Sequence, residues 1–217
     1  MNILAQIRSR RSQIFSTGCL CFACLCLTTT LVGCISRPAL HHEYFALQSP
    51  PLAPGKSSSV VVVSLRPVQV SAIYDRRAFI YRVSPESYEI DDYAGFVASP
   101  GRVIGVPIRA YLLNSGLFND VVEPGSAIPA GKTIEVYVLH LYGDFQMPDA
   151  PAAVLSLRIH MYDAETFSPD LDKSYSSRVP LKSKTAAGVA AAWSQGLAEI
   201  MAQVKEDMTK IIKTDNR

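Results

Sequence analysis

The chain has 217 residues, 21 basic and 19 acidic side chains, a formal net charge of +2 and five cysteines. A balance this close to neutral gives no electrostatic footprint for a nucleic-acid partner, and the length suits one hydrophobic core. Because Cys19, Cys21, Cys24, Cys26 and Cys34 all fall at or before position 34, the rest of the chain holds no disulfide and no cysteine metal site.

Arg8, Arg10 and Arg11 stand near the N-terminus with no acid beside them, a pattern that holds this end on the cytoplasmic side of a membrane. From Ile14 to Gly33 no charged residue occurs, and the run closes on Leu31-Val32-Gly33-Cys34. That is the pattern a lipoprotein signal peptidase cuts between Gly33 and Cys34, so residues 1–33 read as an export signal. Left uncut, a run of this length just spans a bilayer. Arg10-Arg11 lacks the Phe-Leu-Lys-like continuation of a twin-arginine signal. The Cys34 thiol is the nucleophile that takes a diacylglyceryl group as a thioether. Cleavage then frees its amine for a further, palmitoyl-type chain. One acyl chain binds a membrane only marginally, with an association constant of about 10⁴ M⁻¹, whereas several make a lasting anchor. Neither Ile35 nor Ser36 is the Asp that retains lipoproteins in the inner membrane under the enteric sorting rule, so the outer membrane is the expected destination. Removing residues 1–33 takes three arginines and no acid with it, leaving 18 basic against 19 acidic side chains, or −1.

Residues 34–59 read as the acylated cysteine and a Pro- and Ser-rich tether, with one extended piece, His42 to Leu47, that suits an edge strand. Val60 to Leu65 is a largely β-branched run, expected to be a strand buried on both faces. The polar turn Tyr74-Asp75-Arg76-Arg77 leads to a strand at Phe79–Val83, and Ser87–Tyr93 alternates weakly. Ser99-Pro100 starts a helix over Pro100–Ser115, with Val103, Ile104, Ile108, Leu112 and Leu113 at helical spacing. Gly116 is its left-handed stop, and distortion is expected at Pro107. Leu117-Phe118 and Val121-Val122 suggest a short strand. Thr133–Gln146 and Ala152–Asp163 form the longest strand signals and predict a central β-hairpin, with Ile134, Val136, Val138 and His140 on one face. After an acidic loop, Asp163 to Asp172, Lys173–Leu181 reads as a further strand. Thr185 caps a helix to about Ile212, with Val189, Trp193, Leu197, Ile200, Met201, Val204, Met208 and Ile211 in one stripe. Its small-residue first half suits close packing on a sheet. The expectation is one α+β domain over 60–212: a mixed, mostly antiparallel sheet with a central long hairpin, packed by the helices Pro100–Ser115 and Thr185–Ile212. A short tail, 213–217, follows.

Ser64, Ser71 and Ser156 lie in strand patterns without a neighbouring His, so no nucleophile motif is present. His41 and His42 point apart in an extended chain, and Asp91 and Asp92 face opposite ways in a strand. His140 and His160 sit on the two arms of the hairpin, where they can approach each other, and a structural pair explains them more simply than catalysis. Gly101, Gly105 and Gly116 match no phosphate loop. No catalytic residue, metal site or cofactor is expected. Loop tips are the usual sites of partner contact, which singles out Tyr74, Arg76 and Arg77 in the first turn and Met147, Pro148 and Asp149 at the hairpin tip.

The order of the lipobox, Tyr44-Phe45-Ala46-Leu47, Val68-Gln69-Val70 through Tyr74-Asp75-Arg76, Tyr81-Arg82, Tyr88-Glu89-Ile90, Ser115-Gly116-Leu117-Phe118 and Leu141-Tyr142-Gly143-Asp144-Phe145 resembles the ABC-type transport auxiliary lipoprotein family, in its PqiC-like group. The resemblance runs from about Tyr44 to Met208. It departs at Ser71, where the family pattern has a proline, and in the version of Val97-Ala98-Ser99-Pro100. What it implies is an outer-membrane lipoprotein that works with an MCE-domain protein and an ABC permease and ATPase in lipid movement, with homo-oligomers allowed and no catalytic residues. The rival reading, from another class, is a structural or assembly lipoprotein of the outer membrane with no transporter partner.

Overall fold

The structure, a computed structural model, describes residues 41–48, Gly55 and residues 59–215, so the export signal, the Gly33–Cys34 cleavage point and the acylation site lie outside the described residues. In chain order the described elements are β1 (Glu43–Phe45), β2 (Val62–Leu65), β3 (Gln69–Val70), β4 (Ala78–Arg82), β5 (Tyr88–Phe96), α1 (Pro100–Asn114), β6 (Asp120–Val122), β7 (Lys132–Asp144), β8 (Ala152–Asp163), β9 (Pro169–Pro180) and α2 (Ala186–Asp215). The strands form one open, mixed sheet of nine.

β7 is its axis. On one side β8 runs antiparallel along its whole length, as the alternation in both segments predicts, and β9 continues antiparallel beyond β8. The other side is shared by β2, β3 and β4, all parallel to β7: Val63 lies beside Lys132, Gln69 beside Tyr137 and Tyr81 beside Gly143. These three behave as one broken strand, with the excursion from Ser71 to Arg77 as the larger break. β5 folds back antiparallel on β4, β1 pairs parallel with β5, and β6 with β2. The long ladders are thus antiparallel and the short pairings mostly parallel. β1 realises the edge strand expected near His42–Leu47.

Several expectations need correction. β2 starts at Val62; Val60 is 86 % exposed, and only Val63 and Leu65 are buried, because one face of β2 is covered and not both. In β7 the register shifts between Val138 and His140, with Leu139 as the extra residue. A one-residue insertion reverses the alternation that follows. His140 therefore turns out to solvent, and Leu141 joins Ile134, Val136 and Val138 in the core. β9 begins at Pro169, so Asp170 and Asp172 are strand residues and not part of a loop.

α1 has Ser99 at its N-cap and Pro100 in its first turn, and Gly116 follows it with φ +74°, the left-handed stop read from the sequence. It runs unbroken through Pro107, where distortion was expected. Pro107 is buried together with Ile104 and Ile108, whose packing holds the turn that the missing N–H weakens. α2 starts after Thr185, whose hydroxyl accepts the Gly188 N–H at 3.1 Å, and extends past Ile212 to Asp215. Its stripe of Val189, Trp193, Leu197, Ile200, Met201, Val204 and Met208 is buried over β8 and β9. The small residues do what their size suggests: a Cβ added at Gly196 would stand 3.1 Å from the Ser177 hydroxyl of β9.

Candidate functional site

A groove of about 1110 Å³ opens between the Leu65–Val70 stretch and the exposed side of α1, closed at one end by Glu123 and Pro124. Its floor exists because α1 lies directly on Val68. A Cβ at Gly101 would be 2.5 Å from the Val68 carbonyl oxygen, and one at Gly105 would be 3.2 Å from the Val68 side chain. Three guanidinium groups line the groove. Arg66 donates to Glu135 at 3.1 Å, Arg109 donates to the Val121 carbonyl at 2.7 Å, and Arg102 is exposed on α1. The Nε of Arg109 is buried without a hydrogen-bond partner. Asp75 and Glu123 set acids among these bases, and Val106, 71 % exposed, supplies an apolar wall. Such walls suit a ligand that is partly polar and partly apolar. Sequence reading missed this site, although Arg102 and Arg109, a helical two turns apart, carry its signal.

Of the expected contact residues, Tyr74 needs the clearest correction. It is 4 % exposed, stacked on Tyr142 with centroids 5.9 Å apart and edge-on to Tyr88 and His140. Burial, then the hydrogen bond with Tyr88, pushes its hydroxyl well above the ordinary tyrosine range. The polar residues after it misled the reading, because the turn folds its one aromatic ring under itself. Arg77 is exposed but committed: it donates to the Phe96 carbonyl (3.1 Å) and the Val97 carbonyl (3.1 Å) and lies over the Tyr44 ring. It therefore ties the edge strand β1 to the end of β5. Arg76 is exposed, as are Met147, Pro148 and Asp149 at the hairpin tip, where Lys184 donates to the Pro148 carbonyl at 2.5 Å.

The sheet face opposite α2 carries ion pairs. Arg158 grips Asp172 with two hydrogen bonds of 2.8 Å, and Arg178 reaches across β8 to Asp144. Burial would raise the Asp144 carboxyl, but Arg178 and Gln146 outweigh it and hold the group below the usual carboxylate range. Arg158 does the same for Asp172. The two histidines expected to approach are held apart by register: His160 faces Glu135 and His140 faces Ser156. His160 has Asp172 at 3.4 Å, and His140 stands beside the rings of Tyr74 and Tyr142. Among the described residues no three of His, Cys, Asp and Glu stand close enough to hold a metal ion.

An open nine-stranded sheet with two helices is an architecture that solved structures share. The crystal structure of XCC0632 from Xanthomonas campestris, assigned to the DUF330 family, superposes with a TM-score of 0.70 at 16 % identity, over 80 % of this chain and 98 % of that one. A second, an uncharacterized protein, gives a TM-score of 0.59 at 14 % identity, over 76 % and 99 %. At such identities the likeness is one of fold. No curated protein matches the chain. Residues 45–205 match the family described as the ABC-type transport auxiliary lipoprotein component, and the chain belongs to that family. Its class is that of membrane-anchored lipoproteins that face the periplasm and serve an ABC-type transport system.

Proposed function

We propose that acyl chains on Cys34 hold this protein on the periplasmic side of the outer membrane. There it is the auxiliary component of an ABC-type system that moves lipid between the two membranes through an MCE-domain protein. The family match over residues 45–205, directly downstream of Leu31-Val32-Gly33-Cys34, carries the reading. Supporting it, the described residues offer a groove and exposed loop tips on which a partner can bind. Arg76, Met147 and Asp149, all exposed, are the proposed partner contacts.

The test is to purify the tagged full chain from detergent-solubilised membranes and identify what comes with it. Co-purification of an MCE-domain protein with its permease is expected, and recovery of outer-membrane proteins alone would overturn the transport role. Cys34→Ser is expected to abolish labelling by radioactive palmitate and to leave residues 1–33 uncut, so that the chain runs on a gel as the longer precursor. Ile35→Asp is expected to move it to the inner membrane on a density gradient.

A further inference from the structure

Tyr44, Tyr88, Ile90, Tyr93 and Val97 are large apolar side chains left exposed on β1, on β5 and just after it, Tyr44 and Val97 by 59 % and 55 %. Register puts them on one face. Phe79 meets Trp193 of α2, so its strand neighbours Ala78, Ile80 and Arg82 turn to the other side of the sheet. Ile90 lies opposite Ile80 and Tyr88 opposite Arg82. Tyr44 pairs with Gly95, which lies opposite Ala78, and the His42 ring is 5.6 Å from that of Tyr93. Val97, two residues beyond Gly95, alternates to the same side. The acids of these strands go the other way. Glu43 shares the side of Phe45, which packs on Phe79; Glu89 lies opposite Tyr81; Asp91 accepts the Tyr81 hydroxyl at 2.7 Å. Asp92 alternates with Tyr93 and joins them. Arg77 stays on the tyrosine face, over the Tyr44 ring, and its hydrogen bonds go to carbonyl groups, so no carboxylate among the described residues neutralises it.

We infer that this face rests on the phospholipid surface that holds the acyl chains of Cys34, a contact that depends on the acylation proposed above. Chain length favours that occupant. His41, where the described structure begins, is seven residues from Cys34. A fully extended chain spans at most ~3.5 Å per residue, so the start of β1 stays within about 25 Å of the anchor. Side-chain chemistry favours it too. Tyrosine suits a membrane–water boundary, with its ring against apolar groups and its hydroxyl among the headgroups. Arg77 set among tyrosines can meet a lipid phosphate, and turning Glu43, Glu89 and Asp91 to the α2 side takes away the repulsion that an anionic leaflet would exert. The consequence is orientation. A tether alone lets a domain turn freely, whereas a second contact beside the tether fixes the direction in which the β7–β8 tip and the groove point.

Lipid quenching tests the contact. Once residues 1–33 are cut away and Cys34 is acylated no thiol remains, so one introduced cysteine carries a label. The full chain is made as V97C, Y93C and F167C, labelled with a polarity-sensitive dye, and reconstituted from detergent into vesicles of phosphatidylethanolamine and phosphatidylglycerol. Phe167 is the control. It is exposed, and it follows Asp163, which pairs with Lys132 at the end of β7 away from Gly143 and β4. Nitroxide-bearing lipid is expected to quench V97C and Y93C several times more strongly than F167C. Val97→Glu, an exposed change, is expected to bring Y93C down to the F167C level with unchanged Trp193 fluorescence. If that variant fails to fold, the contrast between V97C and F167C decides alone. A chain that does not float with the vesicles removes the acyl anchor and the contact together. A chain that floats with V97C quenched no more than F167C leaves the anchor standing and overturns the contact. So does a V97C label shielded from water that nitroxide lipid does not reach, because a second copy or another protein then covers the face.

Discussion

Trp193 on α2 and Phe79 on β4 meet edge to face, with ring centroids 4.9 Å apart and planes at 88°, and the same indole donates its N–H to the Val154 carbonyl of β8 at 3.2 Å. One side chain thus ties the C-terminal helix to both halves of the sheet. Phe96 closes the cluster, 5.4 Å from the indole. Trp193→Ala removes a fully buried ring and leaves a cavity, so a loss of about 4 kcal/mol is expected. Urea melts followed by far-UV circular dichroism check it. Trp193 is also the single tryptophan of the chain, so its fluorescence in the wild type reports this junction alone.

Gly101→Ala is expected to destabilise the protein by about 2 kcal/mol, through overpacking of α1 against the strand beneath it. Alanine favours a helix over glycine by up to ~1 kcal/mol. That preference does not offset a Cβ placed 2.5 Å from the Val68 carbonyl oxygen, because backbone cannot swing aside as a side chain does. Thermal melts of the variant measure the loss. Gly105→Ala, which meets a side-chain methyl at 3.2 Å, is expected to cost less.

Acid should unfold the protein through its paired carboxylates. Asp144, Asp163, Asp172 and Asp207 are all held below the ordinary aspartate range. The neighbours responsible are Arg178 and Gln146 for Asp144 (against the opposing effect of burial), Thr166 for Asp163, Arg158 for Asp172 and Lys173 for Asp207. A carboxylate depressed in the folded state adds stability above its unfolded value, near pH 4, and that stability is lost as pH falls through the folded value. Stability measured by denaturant melts is expected to be level with respect to these groups above about pH 5 and to fall steadily below pH 4. Asp172→Asn is expected to flatten part of that slope. An unchanged slope would remove Asp172 from the account.

Tyr74 and Arg76 are two residues apart and should respond oppositely. Tyr74→Ala empties a buried place in an aromatic cluster, at a cost of about 3 kcal/mol. Arg76→Ala, on the exposed turn, is expected to change stability by less than ~0.5 kcal/mol. If Arg76→Glu weakens co-purification with the transport partners at unchanged thermal midpoint, the turn is a docking site. If it leaves recovery unchanged, Arg76 is a solvated turn residue.

The parts of the fold legible in the sequence are those that local periodicity encodes. The β7–β8 hairpin follows from two long alternating runs, and α2 from a stripe eight residues strong behind a threonine cap. Gly116 marked the end of α1 because a left-handed residue there needs no Cβ. What escaped is what periodicity does not carry. Leu139 adds one residue to β7 with no change of composition, and the faces of His140 and Leu141 reverse. β3 is too short to show a pattern, and nothing local to β2, β3 or β4 names β7 as their common neighbour. The groove escaped for a related reason, since Arg66 and Arg109 are brought together by the layering of α1 on Val68 and stand far apart in the chain. The proposed acylation at Cys34 rests on local sequence alone, because a signal peptidase reads an unfolded segment.

The dependence of β2, β3 and β4 on β7 reaches beyond the finished fold. A chain threaded out of the cytoplasm N-terminus first delivers these strands well before the one they lie against. Parallel pairing across so long a separation is slow, because a large loop must close before any contact rewards it, whereas the β7–β8 hairpin is local. Folding is therefore expected to run against the direction of emergence, with the hairpin forming as soon as it is clear and the earlier strands laid onto it afterwards. β2, β3 and β4 would then wait unpaired until β7 is in place.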